Sequence, residues 1–325
     1  MNINNKLHQQ KGLTLVELLV ALAISSIIAI AAIAALTVGR QGFATVDAAS
    51  QLRDNARFAA DIIQKLTIQT GYQDVVYAAT TRNTNVVGGA TADPESNISG
   101  FTNATPSASD PLNSYTSRTS GSIGYGSDIL ILRYQTGETF PGSGISDKTM
   151  IDCSGNPTTV IPVNRDDRMV NVIHLALSRG EPSLMCTTIN PTTGTVSDAQ
   201  PLVNGVESFQ VLYGIDADND SITERYMRAD QLIVSGNTAA TNANWRMVRS
   251  VKIGLILRSA EGSTQETATQ TLYPFGVAKS SASSTTGSAF ADNTNDPGTV
   301  FSAAADRRLR QQTSFTIHLR NEQSQ

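Results

Sequence analysis

The chain has few of the residues that build metal centres, and it has few charges. It contains two cysteines and three histidines in 325 residues. Two cysteines exclude a four-cysteine zinc site or an iron–sulfur cluster, and three histidines disfavour an all-histidine metal centre. Charged residues make up 16% of the chain and the formal net charge is −4, so no general basic surface is available for nucleic acid. Apolar residues reach 40%, which excludes a disordered chain and is enough for a core.

One long apolar segment lies near the N-terminus. Residues 13–36 read LTLVELLVALAISSIIAIAAIAAL, with Glu17 as the single charge. Since about 20 helical residues span the ~30 Å hydrocarbon layer, this segment can cross a membrane. The leader before it, residues 1–12, carries Lys6 and Lys11 and no acid. Because positive flanks stay in the cytoplasm, we expect the chain after residue 36 to lie on the other side of the membrane.

Two ordinary interpretations of this segment are a secretory signal peptide and a simple membrane anchor. A signal peptide has an apolar region of about 7–15 residues followed by a small-residue cleavage site. Here the apolar run is longer, and its small residue, Gly12, precedes it. A simple anchor does not explain Glu17, because an acid within the membrane costs at least about 2.5–3.5 kcal/mol and is a candidate for function.

The string KGLTLVELLVALAI, residues 11–24, resembles the class III signal of type IV pilins and of the related pseudopilins of type II secretion. The shared features are a short basic leader, a glycine, an acid at the fifth position after it and a long apolar helix. The resemblance implies that a prepilin peptidase cuts between Gly12 and Leu13 and N-methylates Leu13, where the family most often has Phe. It also implies that the Glu17 carboxylate pairs with the N-terminal amine of a neighbouring subunit and sets the register of the packed helices.

The helix is predicted to continue beyond the apolar segment. Apolar residues recur at a spacing of three to four as far as Leu66, and no proline falls between residues 13 and 66. This pattern predicts a single helix over 13–68, transmembrane over 13–36 and amphipathic in its second half.

A pattern with a period of two follows the helix. Apolar and polar residues alternate over 208–215, 251–258 and 315–320, which predicts half-buried antiparallel strands. The apolar runs ILILRY at 129–134 and VNVIHLAL at 170–177 predict central strands. The fold class is therefore α+β and pilin-like, with a long N-terminal helix packed on an antiparallel β-sheet head of residues 69–325.

Other parts of the head give less specific signals. Stretches rich in Ser, Thr, Asn and Gly at 78–127 and 279–299 predict exposed loops, either as tolerated insertions or as a surface for a partner. Cys153 and Cys186 lie beyond the membrane segment, where an oxidising compartment favours a disulfide over two free thiols. A disulfide here would be structural, because there is no CxxC spacing and no adjacent histidine.

Four acidic residues form a candidate metal site. Asp216, Asp218 and Asp220 stand at alternate positions, and Glu224 follows four residues later. Carboxylates at this spacing can converge on a hard cation such as calcium. The alternative is a polar turn between two strands, since Asp and Asn favour turns.

The remaining polar residues suggest no chemistry. The arginines at 307, 308 and 310 either meet DNA phosphates, or they face solvent or pair with acids. The acidic net charge disfavours DNA binding. His174 and His318 fall in predicted strands with no catalytic motif beside them, so no enzyme activity is expected.

The C-terminal part of the chain indicates a resemblance to a more specific subfamily. Residues 202–227, 245–259 and 307–321 resemble the PilW-type minor pilins, a subfamily grouped with the J-type pseudopilin of type II secretion. The resemblance implies a non-enzymatic subunit of the bacterial inner membrane, with its N-terminus in the cytoplasm and its head in the periplasm. Such a subunit primes pilus assembly and enters the fibre at or near the tip.

The same resemblance implies a set of partners: other minor pilins, the major pilin, the prepilin peptidase, the inner-membrane assembly platform and, as a further candidate, a tip adhesin. No nucleic acid is expected among them. Two alternatives stay open. One is a J-type pseudopilin of a type II secretion system, and the other is a surface adhesin or DNA-binding pilin.

Overall fold

The structure is a computed structural model that describes residues 12, 14–78, 95–276 and 298–321. Leu13, the leader before Gly12, residues 79–94 of the first predicted loop and most of the second lie outside the described residues. The chain divides into two compact units, one ending at Asp47 and the other beginning at Ala48.

The predicted long helix is present as α1, Leu15–Ile68. Its most apolar 18-residue window has a mean hydropathy of 2.7 and no buried residue. By length and composition, α1 is therefore able to cross a membrane. Large apolar side chains are exposed on every side of its first half, which is the pattern of a helix that is covered by lipid or by other helices.

From Ala48 onward α1 belongs to the second unit and buries one face. Its buried apolar residues follow each other at spacings of three or four: Ala48, Leu52, Ala56, Ala59, Ile63 and Leu66. Five of these, from Leu52 on, join strand residues in the main hydrophobic core. Burying a side chain such as Ile63 completely stabilises the fold by about 1.5–3 kcal/mol.

The head contains thirteen strands among its described residues. They are β1 (Ile98–Phe101), β2 (Ala104–Pro106), β3 (Tyr115–Ser117), β4 (Ile129–Tyr134), β5 (Met169–Ser178), β6 (Glu181–Ile189), β7 (Gln200–Asn204), β8 (Val206–Ile215), β9 (Arg225–Met227), β10 (Val248–Arg258), β11 (Gln270–Leu272), β12 (Phe301–Ala303) and β13 (Arg310–His318). Three short helices are α2 (Val75–Ala78), α3 (Ala229–Leu232) and α4 (Thr238–Arg246).

These strands form two main antiparallel sheets. One has the order β1-β4-β5-β6-β7 and the other β13-β10-β8-β9. The predicted arrangement of a long N-terminal helix followed by antiparallel strands is confirmed, and the strands predicted by alternation and by apolar runs are β8, β10, β13, β4 and β5. The head has two main sheets where one was expected, because β8 turns away from β7 and pairs with β10.

The prediction of exposed loops over 78–127 is wrong for residues 98–106, which form two partly buried strands. The apolar residues Ile129, Ile131, Val170 and Val172 point away from α1 and form a second core cluster. Ala104 of β2 and Leu112 belong to that cluster, and Phe101 of β1 packs against it, whereas β3 is exposed. A sheet that is apolar on both faces needs a cover on both faces, and this part of the chain supplies the second one.

Candidate functional site

The site at the N-terminus begins with an open glycine. Gly12 is exposed, and a Cβ at this position would meet no atom within 4 Å among the described residues. Its partner in the predicted cleavage site, Leu13, lies outside the described residues. A peptidase cleft can approach a backbone without a Cβ closely, so the cleavage between Gly12 and Leu13 stays a prediction that fits an accessible chain.

We expect Gly12→Val to block removal of the leader. Because the surroundings of Gly12 are open, the added side chain disturbs nothing in the described part of this chain, and any loss of cleavage must arise in the peptidase cleft. The measurement is the N-terminal sequence of the protein after co-expression with the prepilin peptidase. Gly39→Val is the matched control, because Gly39 is equally open and lies in the helix; a mature N-terminus at Leu13 in both variants contradicts the prediction.

Glu17 takes part in a capping box at the start of α1. The Thr14 amide and the Thr14 hydroxyl both donate to Glu17 Oε2, at 2.9 Å each, and the Glu17 amide donates back to Thr14 Oγ1 at 3.3 Å. Such a reciprocal pair satisfies amides that the first helical turn leaves unpaired. The sequence analysis missed Thr14, although the pattern T-x-x-E before an apolar run is the signal of a capping box.

The capping box leaves Glu17 able to bind a second partner. Both bonds from Thr14 end on Oε2, and Oε1 accepts no hydrogen bond within the described residues. The carboxylate is held in one orientation and keeps its charge, and an amine approaching through apolar surroundings would be attracted strongly. The pairing of Glu17 with the N-terminal amine of a neighbouring subunit stays a prediction.

The four acidic residues predicted to bind calcium come together in the β8–β9 turn. One carboxylate oxygen from each of Asp216, Asp218, Asp220 and Glu224 lies within 4.8 Å of the others. Arg249 Nε lies 3.1 Å from Asp216 Oδ2 and forms an ion pair with it. The turn thus gathers hard oxygen ligands, but a guanidinium already occupies part of the space that a cation would take.

Hydrogen bonds within the same turn fit the polar-turn alternative. Asp216 accepts the amides of Asp220 and Ser221 at 3.1 and 3.0 Å, and Glu224 accepts the amide of Ala217 at 2.9 Å. Local bonds of this kind are the reason that Asp side chains favour such turns. Calcium binding therefore stays a prediction beside this alternative.

If calcium binds this turn, we expect a weak site with a Kd of about 10⁻⁴–10⁻³ M, because Arg249 competes for Asp216. Isothermal titration of the purified full chain with calcium measures it. The double variant Asp218→Asn/Asp220→Asn should lose the heat, since both side chains are exposed and the backbone bonds to Asp216 remain. No heat at millimolar calcium would leave the polar turn as the role of these residues.

The two cysteines are joined. Cys153 and Cys186 form a disulfide across a sequence separation of 33 residues, and both are about 1% exposed. The bridge ties the irregular segment between β4 and β5 to the middle of β6. The disulfide predicted from the topology is therefore present in the structure.

The arginines at 307, 308 and 310 are engaged within the chain. Arg310 Nε lies 2.6 Å from Glu207 Oε2, and its Nη2 lies 2.6 Å from Asp306 Oδ2. Arg308 lies within 4 Å of three acids, and Arg307 donates to Gln265 at 3.0 Å. Arg308 and Arg310 thus pair with acids, whereas Arg307 is exposed and bonds to an amide oxygen.

A cavity lined by Arg310 has the same character. It measures about 520 Å³ and lies between residues 120–125 and 300–306. Its acids, Glu207 and Asp306, are bound to Arg258 and Arg310, so they are structural ion-pair partners.

His174 in β5 is a buried imidazole. Burial lowers its pKa to about 4, and Arg118 adds to the shift. The imidazole is therefore neutral at pH 7.

Two family models match the chain. One, described as Type IV Pilus-assembly protein W, matches residues 175–321, and the other, described as Prokaryotic N-terminal methylation motif, matches residues 7–33. No curated protein matches the chain significantly. Among solved structures, the chain is similar to the type IV-like pilin TTHA1219 from Thermus thermophilus, with 13% identity and a TM-score of 0.40 over 84% of this chain and 100% of that chain. The first matched region contains β8, β10 and β13, and the second contains Gly12 and Glu17.

Proposed function

We propose that this chain, which matches the PilW family model over residues 175–321 and the N-terminal methylation motif over residues 7–33, is a membrane-anchored minor pilin that primes assembly of the pilus. We further propose that it enters the fibre at or near the tip together with other minor pilins. In this role it catalyses nothing and acts through helix packing.

The observation that carries this proposal is the exposed apolar half of α1 with a carboxylate near its start. Leu15, Val16 and Leu18 are each more than half exposed in the isolated chain. A helix that is apolar all round must be covered. A membrane covers it before assembly, and the apolar helices of other pilins can cover it in a fibre. Glu17 would then give these helices a defined axial register, which apolar contacts alone do not.

The proposed topology follows from the same segment. Lys6 and Lys11 precede it, so the N-terminus is proposed to stay in the cytoplasm and the head to reach the periplasm. The disulfide of the head fits an oxidising compartment. The proposed partners are the prepilin peptidase at Gly12 and Leu13, the inner-membrane assembly platform, the major pilin, other minor pilins and a tip adhesin.

Deletion of the gene tests the proposal directly. We expect a strain without this chain to carry far fewer surface pili and to recover them when the gene is restored, while the major pilin is still made and still processed. Labelling the head with a specific antibody should mark fibre ends. Normal numbers of pili in the deletion strain would overturn the priming role, and a secretion defect with intact pili would point to the J-type alternative.

A further inference from the structure

Among the described residues, strand β13 forms an open edge of the second sheet. In the order β13-β10-β8-β9 it pairs with β10 alone. It is nine residues long, so at about 3.4 Å per residue it extends over roughly 30 Å. The other ends of the two main sheets are shorter: β9 has three residues, β1 four and β7 five.

The ladder with β10 shows which backbone groups point outward. The Ser259 amide donates to Leu309 O, and the Leu319 amide donates to Arg249 O. Because hydrogen-bonded residues alternate along an antiparallel pair, the odd-numbered residues of β13 face β10. The outward amides and carbonyls belong to Arg310, Gln312, Ser314, Thr316 and His318. Within the described residues these ten groups have no hydrogen-bond partner.

This edge lacks the features that usually prevent pairing with another chain. The sequence RQQTSFTIH has no proline, glycine, lysine or acid, all of which are devices that protect sheet edges. Its one formal charge, Arg310, has a side chain only 2% exposed and bound to Glu207 and Asp306. A row of backbone donors and acceptors at this spacing is complementary to another extended backbone.

The side chains of β13 specify what kind of strand fits. Gln312, Ser314 and Thr316 are exposed on one face, whereas Phe315 is half-buried and Ile317 is buried on the other. A strand added here would place alternate side chains beside these two faces. It should therefore be uncharged in its middle, with apolar residues on the face of Phe315 and Ile317.

A basic cleft lies at the C-terminal end of the edge. It measures about 430 Å³, and both Lys65 and Arg320 line it, with Tyr72 and Met150 among the other lining residues. No acid is found among its described lining residues. Asn321 Nδ2 donates to Thr70 O at 3.0 Å, which fixes the end of β13 beside the end of α1. The cleft is complementary to a carboxylate.

A second copy of this chain fits the edge poorly. Two β13 strands that pair antiparallel over their full length would be centred on Ser314. This register places Arg308 of each copy opposite Arg320 of the other. Like charges directly opposite each other destabilise a strand pair, and the acids near Arg308 are already paired with it.

We propose that the open edge of β13 binds an extended segment of a different pilin subunit by β-strand addition. The added strand alternates apolar and uncharged polar residues along β13, and an acidic residue at its end enters the cleft of Lys65 and Arg320. This inference rests on the proposed function, because it takes the partner to be a neighbouring subunit of the same pilus.

Photo-crosslinking tests the partner. A photoreactive benzoyl-phenylalanine replaces Thr316 on the edge or, as a control, Thr192, which is exposed in the β6–β7 turn. The full chain is expressed in the piliated organism, irradiated, and the adducts are identified by mass spectrometry. We expect adducts with a second pilin at Thr316 and none at Thr192. Adducts only within the chain, only with a second copy, or equally at both positions would overturn the proposal.

Edge variants test the mode of binding. Ser314→Pro removes an outward amide that has no partner in this chain, so the ladder with β10 remains, and the crosslink at Thr316 should fall by about tenfold or more. Ser314→Ala keeps the amide and should retain the crosslink. Arg320→Glu should also weaken it, because the cleft then repels an acid.

Melting curves of the purified full chain establish that each variant is folded. If Ser314→Pro is not folded, Thr316→Lys is used in its place, because a lysine at the edge opposes strand pairing. The photoreactive residue then replaces Gln312 instead of Thr316. Crosslinking that persists in a folded Ser314→Pro or Thr316→Lys variant would overturn the proposal. A deletion strain that still makes pili would overturn the priming role instead, so the two failures are distinguishable.

Discussion

Glu17→Gln should abolish the contribution of this chain to piliation as completely as Glu17→Ala does. Gln at this position still accepts the bonds from the Thr14 amide and hydroxyl, so the start of α1 is preserved and only the charge is lost. If Glu17 pairs with an amine, its loss leaves that amine buried and unpaired, which costs about 3–5 kcal/mol. A cost of this size weakens packing by about 10²–10³-fold or more.

Membrane insertion should be unchanged or improved in both Glu17 variants. An acid within the hydrocarbon layer is unfavourable, so both variants should insert at least as well as the unaltered chain. The measurements are membrane fractionation, cleavage by the prepilin peptidase and pilus counts in a deletion strain that carries each variant. A variant that inserts and is cleaved but yields no pili locates the defect in assembly.

Thr14→Val tests the helix cap at the start of α1 separately from the charge of Glu17. This change removes the hydroxyl that bonds to the Glu17 side chain and amide and leaves the carboxylate in place. Loss of a helix cap costs about 0.5–2 kcal/mol, far less than an unpaired buried charge, so we expect pili to persist in reduced number. Normal piliation in Glu17→Gln combined with loss in Thr14→Val would show that capping, and not charge pairing, is the role of Glu17.

The elements that the sequence predicted well are those whose burial is periodic. The spacing of Leu52, Ala56, Ala59 and Ile63 marks the buried face of α1, and the alternation around Phe209 and Val211 marks β8. In both cases the side chains meet the same core. Local pattern and tertiary burial agree there, so the pattern alone was sufficient.

Elements whose burial comes from distant parts of the chain were not predictable. Strand β1 contains Gly100, because a Cβ there would collide with the Tyr213 side chain and the Ile129 carbonyl. Its sequence ISGF, set in a Ser- and Asn-rich stretch, has no strand signal of its own. Strand β6 begins with Glu181 and Pro182 and is buried by neighbours on both sides. Tertiary context decides such strands.

The candidate site also contains features that the sequence could predict and features that it could not. The roles of Gly12 and Glu17 were predicted from spacing along one segment and stay predictions, and Thr14 was missed although it obeys the same local rule. The ion pair of Asp216 with Arg249 joins a turn to a strand more than thirty residues away. No spacing rule could have shown that a guanidinium competes with a cation there.

Removing the disulfide should cause a large loss of stability in the head. The bridge closes a loop with a sequence separation of 33 residues, and in the chain-entropy model this is worth about 3–4 kcal/mol. For a head of this size, a loss of that magnitude lowers the Tm by roughly 6–16 °C. The variant is Cys153→Ala/Cys186→Ala, and the measurement is thermal unfolding followed by circular dichroism on the full chain.

The contacts around the bridge predict which part of the head loosens. Ile151 remains held without it: Gln69 Nε2 donates to Ile151 O at 2.6 Å, and the Tyr134 hydroxyl donates to the same oxygen at 2.8 Å. Beyond Ile151 the segment depends on turn bonds to Asp152. We therefore expect new proteolytic cleavage after residue 152 in the double variant, with β6 still folded.

Ser154→Ala is the matched control, because Ser154 is exposed beside Cys153 and its change leaves the bridge intact. It should melt with the unaltered chain, and a reducing agent should lower the Tm of both to that of the double variant. An unchanged Tm in the double variant, together with two thiols that react in the native protein, would mean that Cys153 and Cys186 are free in the cell.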